Sequence, residues 1–174
     1  MKKISRICAA IVGACCSAAC TTVTPSLPPG YSGPTAEIRD SVTVKSRSNA
    51  DFFYIASVDG NAVEQSLDKT VGANFGQGFN MNPQIVQRTV PARSMKLELV
   101  GRTHHAAPIQ SLFSTEFQVK GPLSFTPEAE HTYIVHGELG ENYSAVWLED
   151  LGSGTIVGQK IEIHGSAALG ILEK

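Results

Sequence analysis

The chain has 174 residues, 14 Lys and Arg against 16 Asp and Glu, a formal net charge of −2 and 42% hydrophobic residues. No basic run is present, which argues against nucleic acid as a partner, because phosphate contacts need clustered Lys and Arg. All the cysteines, Cys8, Cys15, Cys16 and Cys20, fall within the first 20 residues, so a disulfide framework for the rest of the chain is excluded.

Residues 1–19 have the layout of a secretory signal peptide. MKKISR supplies three cations and no acid, Ile7 to Ala19 is uncharged and small or apolar, and small residues close the segment. The apolar run is too short for a bilayer-spanning helix, which needs roughly 20 residues. Ser17-Ala18-Ala19-Cys20 resembles the bacterial lipobox, in which small residues precede a cysteine that is acylated on its thiol and becomes the new N-terminus. Ser17 stands where Leu is usual. Val12-Gly13-Ala14-Cys15 is a competing box with a more apolar first residue but a shorter apolar run before it. Cys20 is therefore the expected lipidation site, with Cys15 as the alternative, and the expected partner there is a lipid bilayer entered by acyl chains such as palmitate. Thr21 stands where lipoproteins kept at the inner membrane of enteric bacteria carry Asp, so the resemblance implies the outer membrane, facing the periplasm.

Residues 20–37 follow as a tether rich in Pro, Thr and Ser, carrying Pro25, Pro28, Pro29 and Pro34. In polyproline geometry, at about 3.1 Å per residue, such a stretch holds a domain roughly 50 Å from its anchor. Residues 38–174 then form one domain, long enough to bury a core without staples.

Within that domain the dominant signal is alternation with a period of two. Ile38 to Lys45 reads as a strand with Val42 and Val44 inward, and Phe52-Phe53-Tyr54-Ile55-Ala56, apolar on both faces, as a central strand. Asp59-Gly60-Asn61 is a turn. After it, Asn61 as cap, Glu64 three residues on, Val63, Leu67 and Val71 at every fourth position and Gly72 as a stop predict one short helix. Gly72 to Gly78 is glycine-rich without the Lys-Ser/Thr of a phosphate loop, and reads as a surface loop. Its Phe75 and Phe79, with Met81 following, are either tucked into the core or exposed as a contact patch.

Met95 to Val100 alternates again, and Phe113 to Lys120 predicts a half-buried strand with Phe113, Phe117 and Val119 on one face, closed by Gly121-Pro122. Tyr133 to Leu139 is a further strand, and Gly152-Ser153-Gly154 joins Ala145 to Asp150 and Thr155 to Val157 as a hairpin. The whole predicts a mainly β fold, an antiparallel β-sandwich of about seven to nine strands with one short helix.

Read in order, GPTAEIRDS, FFYIASVDGN, NFGQGF, VPARSMKLEL, AAPI, LSFTPEAEHTYIVHGEL and AVWLEDLGSGTIV resemble a recurrent group of uncharacterised proteobacterial lipoproteins. In outline the sandwich is also similar to transthyretin-like or PEGA-like envelope domains. The resemblance implies compartment and fold and no activity. Arg93 departs from it, since glycine usually follows V-P-A.

No constellation in the sequence carries chemistry by its spacing. His104 and His105 are adjacent, so on a strand they point to opposite faces and cannot share one ion; His131 and His136, five apart, are split likewise. Glu128, Glu130, Glu138, Glu141 and the pair Glu149-Asp150 read as a solvated face. No catalytic residues, metal ligands or cofactor are assigned. The expectation is a lipid-anchored, non-catalytic binding or structural module with an envelope protein as a possible partner. The alternatives are a hydrolase with a fold-assembled carboxylate and histidine site, which needs two of His104, His105, His131, Glu128 and Glu149 in one pocket, or a small-ligand or metal carrier.

Overall fold

The computed structural model describes residues 26–170 and Glu173; the expected signal peptide and both candidate anchor cysteines, Cys20 and Cys15, lie outside the described residues. The described chain is a β-sandwich of ten strands and two helices: β1 (Thr35–Arg39), β2 (Ser41–Ser46), β3 (Asn49–Val58), β4 (Asn61–Ala62), α1 (Ser66–Ala73), β5 (Gln87–Pro91), β6 (Met95–His105), α2 (Pro108–Phe113), β7 (Gln118–Phe125), β8 (Thr132–Glu138), β9 (Tyr143–Asp150) and β10 (Ile156–His164). The first sheet runs β10-β9-β8-β1-β5, and the second runs β2-β3-β6-β7 with β4 paired to β3. None of the described helices is long and apolar enough to cross a membrane.

Alternation places the core. Inward residues of the first sheet (Ile38, Val90, Tyr133, Val135, Val146, Leu148) meet those of the second (Phe53, Ile55, Leu97, Leu99, Val119, Leu123) in one buried cluster. The second sheet is apolar on its other face as well, where Ala50, Phe52, Tyr54 and Val100 are covered by Leu67 of α1 and by Met81. This is why β3 reads as apolar on both faces, and it lies inside its sheet between β2 and β6 as expected.

The structure corrects several local expectations. The run Ile38 to Lys45 is two strands, one in each sheet, divided at Asp40, and Val44 is 61% exposed rather than inward. β1 starts at Thr35, within the stretch 20–37 read as tether, and Ser26 Oγ donates to the Thr89 carbonyl of β5 at 3.0 Å. The pairing is antiparallel throughout except between β1 and β8, where Ile38 lies opposite Tyr133 in a parallel ladder.

Two helices form, where one was expected. Asn61 and Ala62 fold back onto Val58 and Ser57 through a turn with positive φ at Asp59 (51°) and Gly60 (80°), so the hairpin takes the residues expected to cap the helix. The helix begins at Ser66 without a local side-chain cap. α2 occupies the start of the strand expected at Phe113 to Lys120. Pro108 opens it, as suits a residue lacking an N–H at a first helical turn, and Phe113 ends it 85% exposed. The strand starts at Gln118 and continues through Gly121-Pro122 to Phe125, because β7 is the edge of its sheet and a proline there need not donate to a neighbour. The remaining turns fall as expected, including the β9–β10 hairpin around Gly152-Ser153-Gly154.

Candidate functional site

The end of β6, the loop after α1 and helix α2 enclose a cavity of about 630 Å³, within the roughly 300–1,000 Å³ of small-molecule sites. Each wall has a sequence cause. α1 runs through Gly72 to Ala73 with Asn74 as its C-cap, and the chain then turns through Gly76 (φ 80°) and Gly78 (φ 71°), a left-handed geometry that side chains with a Cβ resist. Asn74 closes this loop by accepting from Asn82 N–H and donating to the Asn82 carbonyl, both at 2.9 Å. On the opposite side Pro108 starts α2 directly after β6, so that Leu112 faces the same space.

The lips are apolar and open to solvent. Phe75 borders the cavity at 91% exposure, while Phe79, 59% exposed, lies in the same loop. Of the two alternatives for these rings, the structure shows the exposed one. Met81 differs: it is half buried, packs on the second apolar cluster and borders the cavity from there.

Toward the sheet the lining becomes charged. Glu116 is 1% exposed, and its Oε2 lies 3.7 Å from Arg102. The Arg102 guanidinium also donates to Gln118 Oε1 at 3.4 Å and to the Glu173 carbonyl at 3.3 Å. Glu116 Oε1 and Arg102 Nε are buried and take no hydrogen bond within the described protein, which is costly for polar atoms removed from water. His104 and His105 both border this cavity although they occupy successive positions of β6. Burial pushes His104 below its usual value, against the pull of Glu116, and favours the neutral imidazole at neutral pH. Tyr54, on the same outer face, is pushed up to about 12 by burial, with Arg102 opposing.

The other sequence candidates lie elsewhere. His131 Nδ1 and Asp150 Oδ2 are 2.6 Å apart, and Glu128 Oε2 is 3.5 Å from His131 Nε2. Asp150 also accepts from Ser153 N–H at 2.8 Å and from Ser153 Oγ at 3.1 Å, so the group ties the start of β8 to the β9–β10 turn. Asp150 is thus buried and fully engaged, which departs from the solvated face expected for it. The geometry is not that of a catalytic triad, because the second imidazole nitrogen faces another carboxylate where a nucleophile is needed. His136 tilts against Trp147, over whose ring Lys160 Nζ sits at 4.2 Å, and Glu149 accepts from the Trp147 indole. Among the described residues no group of three His, Cys, Asp or Glu side chains could hold a metal ion.

Sequence reasoning found His104, His105, Phe75, Phe79 and Met81 but not the two charges that join them. Glu116 sits in a run whose alternation assigned it to the polar face of a strand, and Arg102 lies beyond the run Met95 to Val100 that reads as the preceding strand. An acid between two apolar flanks, Phe113 and Phe117, was the available signal. Comparison with protein families, curated proteins and solved structures finds no match to this chain.

Proposed function

We propose that this protein is a binding module held at a bacterial envelope membrane through acylated Cys20, and that its binding site is the cavity between the α1 loop and α2. The observation that carries the binding half is the cavity itself: apolar, solvent-facing lips at Phe75 and Leu112 around buried Glu116 and its half-buried partner Arg102. Ligand sites combine an apolar lining with a few convergent polar groups in this way. The anchor half rests on the lipobox-like Ser17-Ala18-Ala19-Cys20 and its resemblance to lipoprotein signals. Phe79 and Met81 extend the apolar surface beside the cavity and suit an envelope protein or a ligand tail.

A second reading, a hydrolase, draws on His104, His105 and Glu116 bordering one cavity. Binding is preferred because Glu116 pairs with Arg102 rather than orienting an imidazole, and a hydrolytic base needs such an orienting partner.

The test is mass spectrometry of the protein taken from its native membranes. Under denaturing conditions the expected species begins at Cys20, carries acyl chains and is lost in Cys20→Ala. An unacylated chain in the soluble fraction would remove the anchor. Under native conditions a non-covalent adduct is expected that is weakened or lost in Ala107→Trp, which adds an indole at the cavity wall; no adduct in the unaltered protein would remove the binding site.

A further inference from the structure

The tether is shorter than its composition suggests, and that sets how close the domain lies to its membrane. Resting on the anchor in the reading above, we infer that the α1 loop and α2 dip into the lipid bilayer to which Cys20 attaches the chain, a second contact that orients the domain.

Ser26 is bonded to Thr89 of β5, so six residues, 20–25, separate the fold from the anchor. At no more than about 3.6 Å per residue they reach roughly 20 Å. The domain is therefore held against the bilayer, and some part of its surface meets the headgroups.

Charge selects that part. Seven of the ten large apolar side chains exposed among the described residues fall in two stretches, 70–87 and 103–115, that contain no Asp, Glu, Lys or Arg. Charged side chains resist transfer into hydrocarbon, so a surface that enters a bilayer must lack them. The two stretches adjoin in the fold, since Val71 and Phe75 of the first border the same cavity as Leu112 of the second. In α2, Ile109, Leu112 and Phe113 follow helical spacing and are all exposed, and none of the helix's six residues is buried. Arg47, whose carbonyl oxygen accepts from the Met81 N–H at 2.8 Å, stands at the edge of this surface, where a long cationic side chain suits headgroup phosphate.

A bilayer fits better than a protein. Protein interfaces draw their anchors from Trp, Tyr and Arg seated in packed pockets. The aromatic residues of the two stretches are Phe alone, and Phe75 and Phe113 project at 91% and 85% exposure. A fluid hydrocarbon layer takes projecting rings without a matching pocket.

Photocrosslinking in native membranes tests this. The full chain carries p-benzoylphenylalanine singly in place of Phe75, Phe79 or Phe113, or of Ser124 or Leu151 as exposed controls remote from the cavity, Leu151 being apolar as well. After irradiation, mass spectrometry is expected to show phospholipid adducts at the three Phe positions at least fivefold above the controls. With the probe at Phe79, Phe75→Asp combined with Phe113→Asp should lower the adduct at least fivefold and leave thermal unfolding unmoved. Crosslinks to a second copy or to another protein in place of lipid overturn the inference, as do equal yields at all five positions. Lipid adducts at Phe75 alone overturn it too, because Phe75 borders the cavity and would report a ligand inside it. If the chain is acylated at Cys20 and the three probes give no lipid adduct, this inference fails and the anchor stands. If the chain is unacylated and the probes give none, both fail.

Discussion

Arg88 grips Asp40 with both terminal nitrogens, at 2.7 and 2.9 Å, at the residue where the chain leaves the first sheet and enters the second. Asp40 is fully buried and accepts in addition from the backbone N–H and the hydroxyl of Ser66, at 3.0 and 2.9 Å. The helix that lacks a local cap is thus capped from the distant β1–β2 corner, with a carboxylate at its N-terminus where the helix dipole favours one.

Removing one member of this pair strands the other without water. Asp40→Ala is expected to cost about 3–5 kcal/mol, whereas Asp40→Leu combined with Arg88→Met recovers much of it. Urea unfolding of the single and double variants measures this, and a cost below about 1 kcal/mol for Asp40→Ala would mean that the pair pins nothing.

Phe53 packs in a slot made by two glycines, one from each sheet. A Cβ at Gly101 would lie 3.0 Å from its ring, and one at Gly137 would overlap both the ring and the Ala145 carbonyl oxygen. Gly137→Ala is expected to destabilise by about 1–3 kcal/mol through overpacking. The cost should shrink when Phe53→Leu is introduced first, since the smaller side chain leaves room and only the Ala145 carbonyl overlap persists; equal costs in the two backgrounds would exclude the Phe53 ring as a cause.

The His131–Asp150 contact makes stability depend on pH at both ends. The hydrogen bond from His131, then the Ser153 N–H, holds the Asp150 carboxyl at about 2, below its ordinary 3.8. The same hydrogen bond raises His131 above 6.5. The depressed carboxyl contributes fully above 3.8, and its contribution is lost as pH falls through about 2. The raised imidazole contributes fully below 6.5, and its contribution is lost as pH rises through its folded value. Thermal unfolding across pH should show this contribution complete between those limits. His131→Asn should abolish the decline at the upper limit, and an unchanged profile would argue that the contact is inert.

The three apolar residues of the α1 loop should separate by role. Phe75→Ala and Phe79→Ala are expected to change stability by less than about 0.5 kcal/mol, as for other exposed positions. Met81→Ala, half buried on the second cluster, should cost about 1–2 kcal/mol, less than the roughly 2–5 of a fully buried methionine. Denaturant midpoints decide this; a large cost at Phe75 would show that its ring is held by the fold.

Where a strand buries one face fully, its alternation was legible: Met95, Leu97 and Leu99 point inward as read, and the two-sided Phe52 to Ala56 lies inside its sheet. The alternation from Phe113 to Val119 misled because only its end is a strand: Phe113 closes the helix that Pro108 opens upstream, while Val119 lies inward in β7 as read. The break at Asp40 was invisible for a related reason, since apolar residues flank it at Ile38 and Val42 and only tertiary partners show that it turns a corner. The cavity draws on three segments separated by tens of residues, so its two charges come together only in the fold. Arg93 has a reason in the fold too: it pairs with Asp59 at 2.9 Å and braces the turn that Asp59 begins.

Because β1 lies between β5 and β8, hydrogen-bonded to both, a pull on the chain ahead of Thr35 loads two ladders along their length. Such bonds resist in shear and must fail together, whereas an edge strand peels one bond at a time. A mechanical load entering from the N-terminal side is therefore delivered to an interior strand of a sheet and not to the open lips of the cavity.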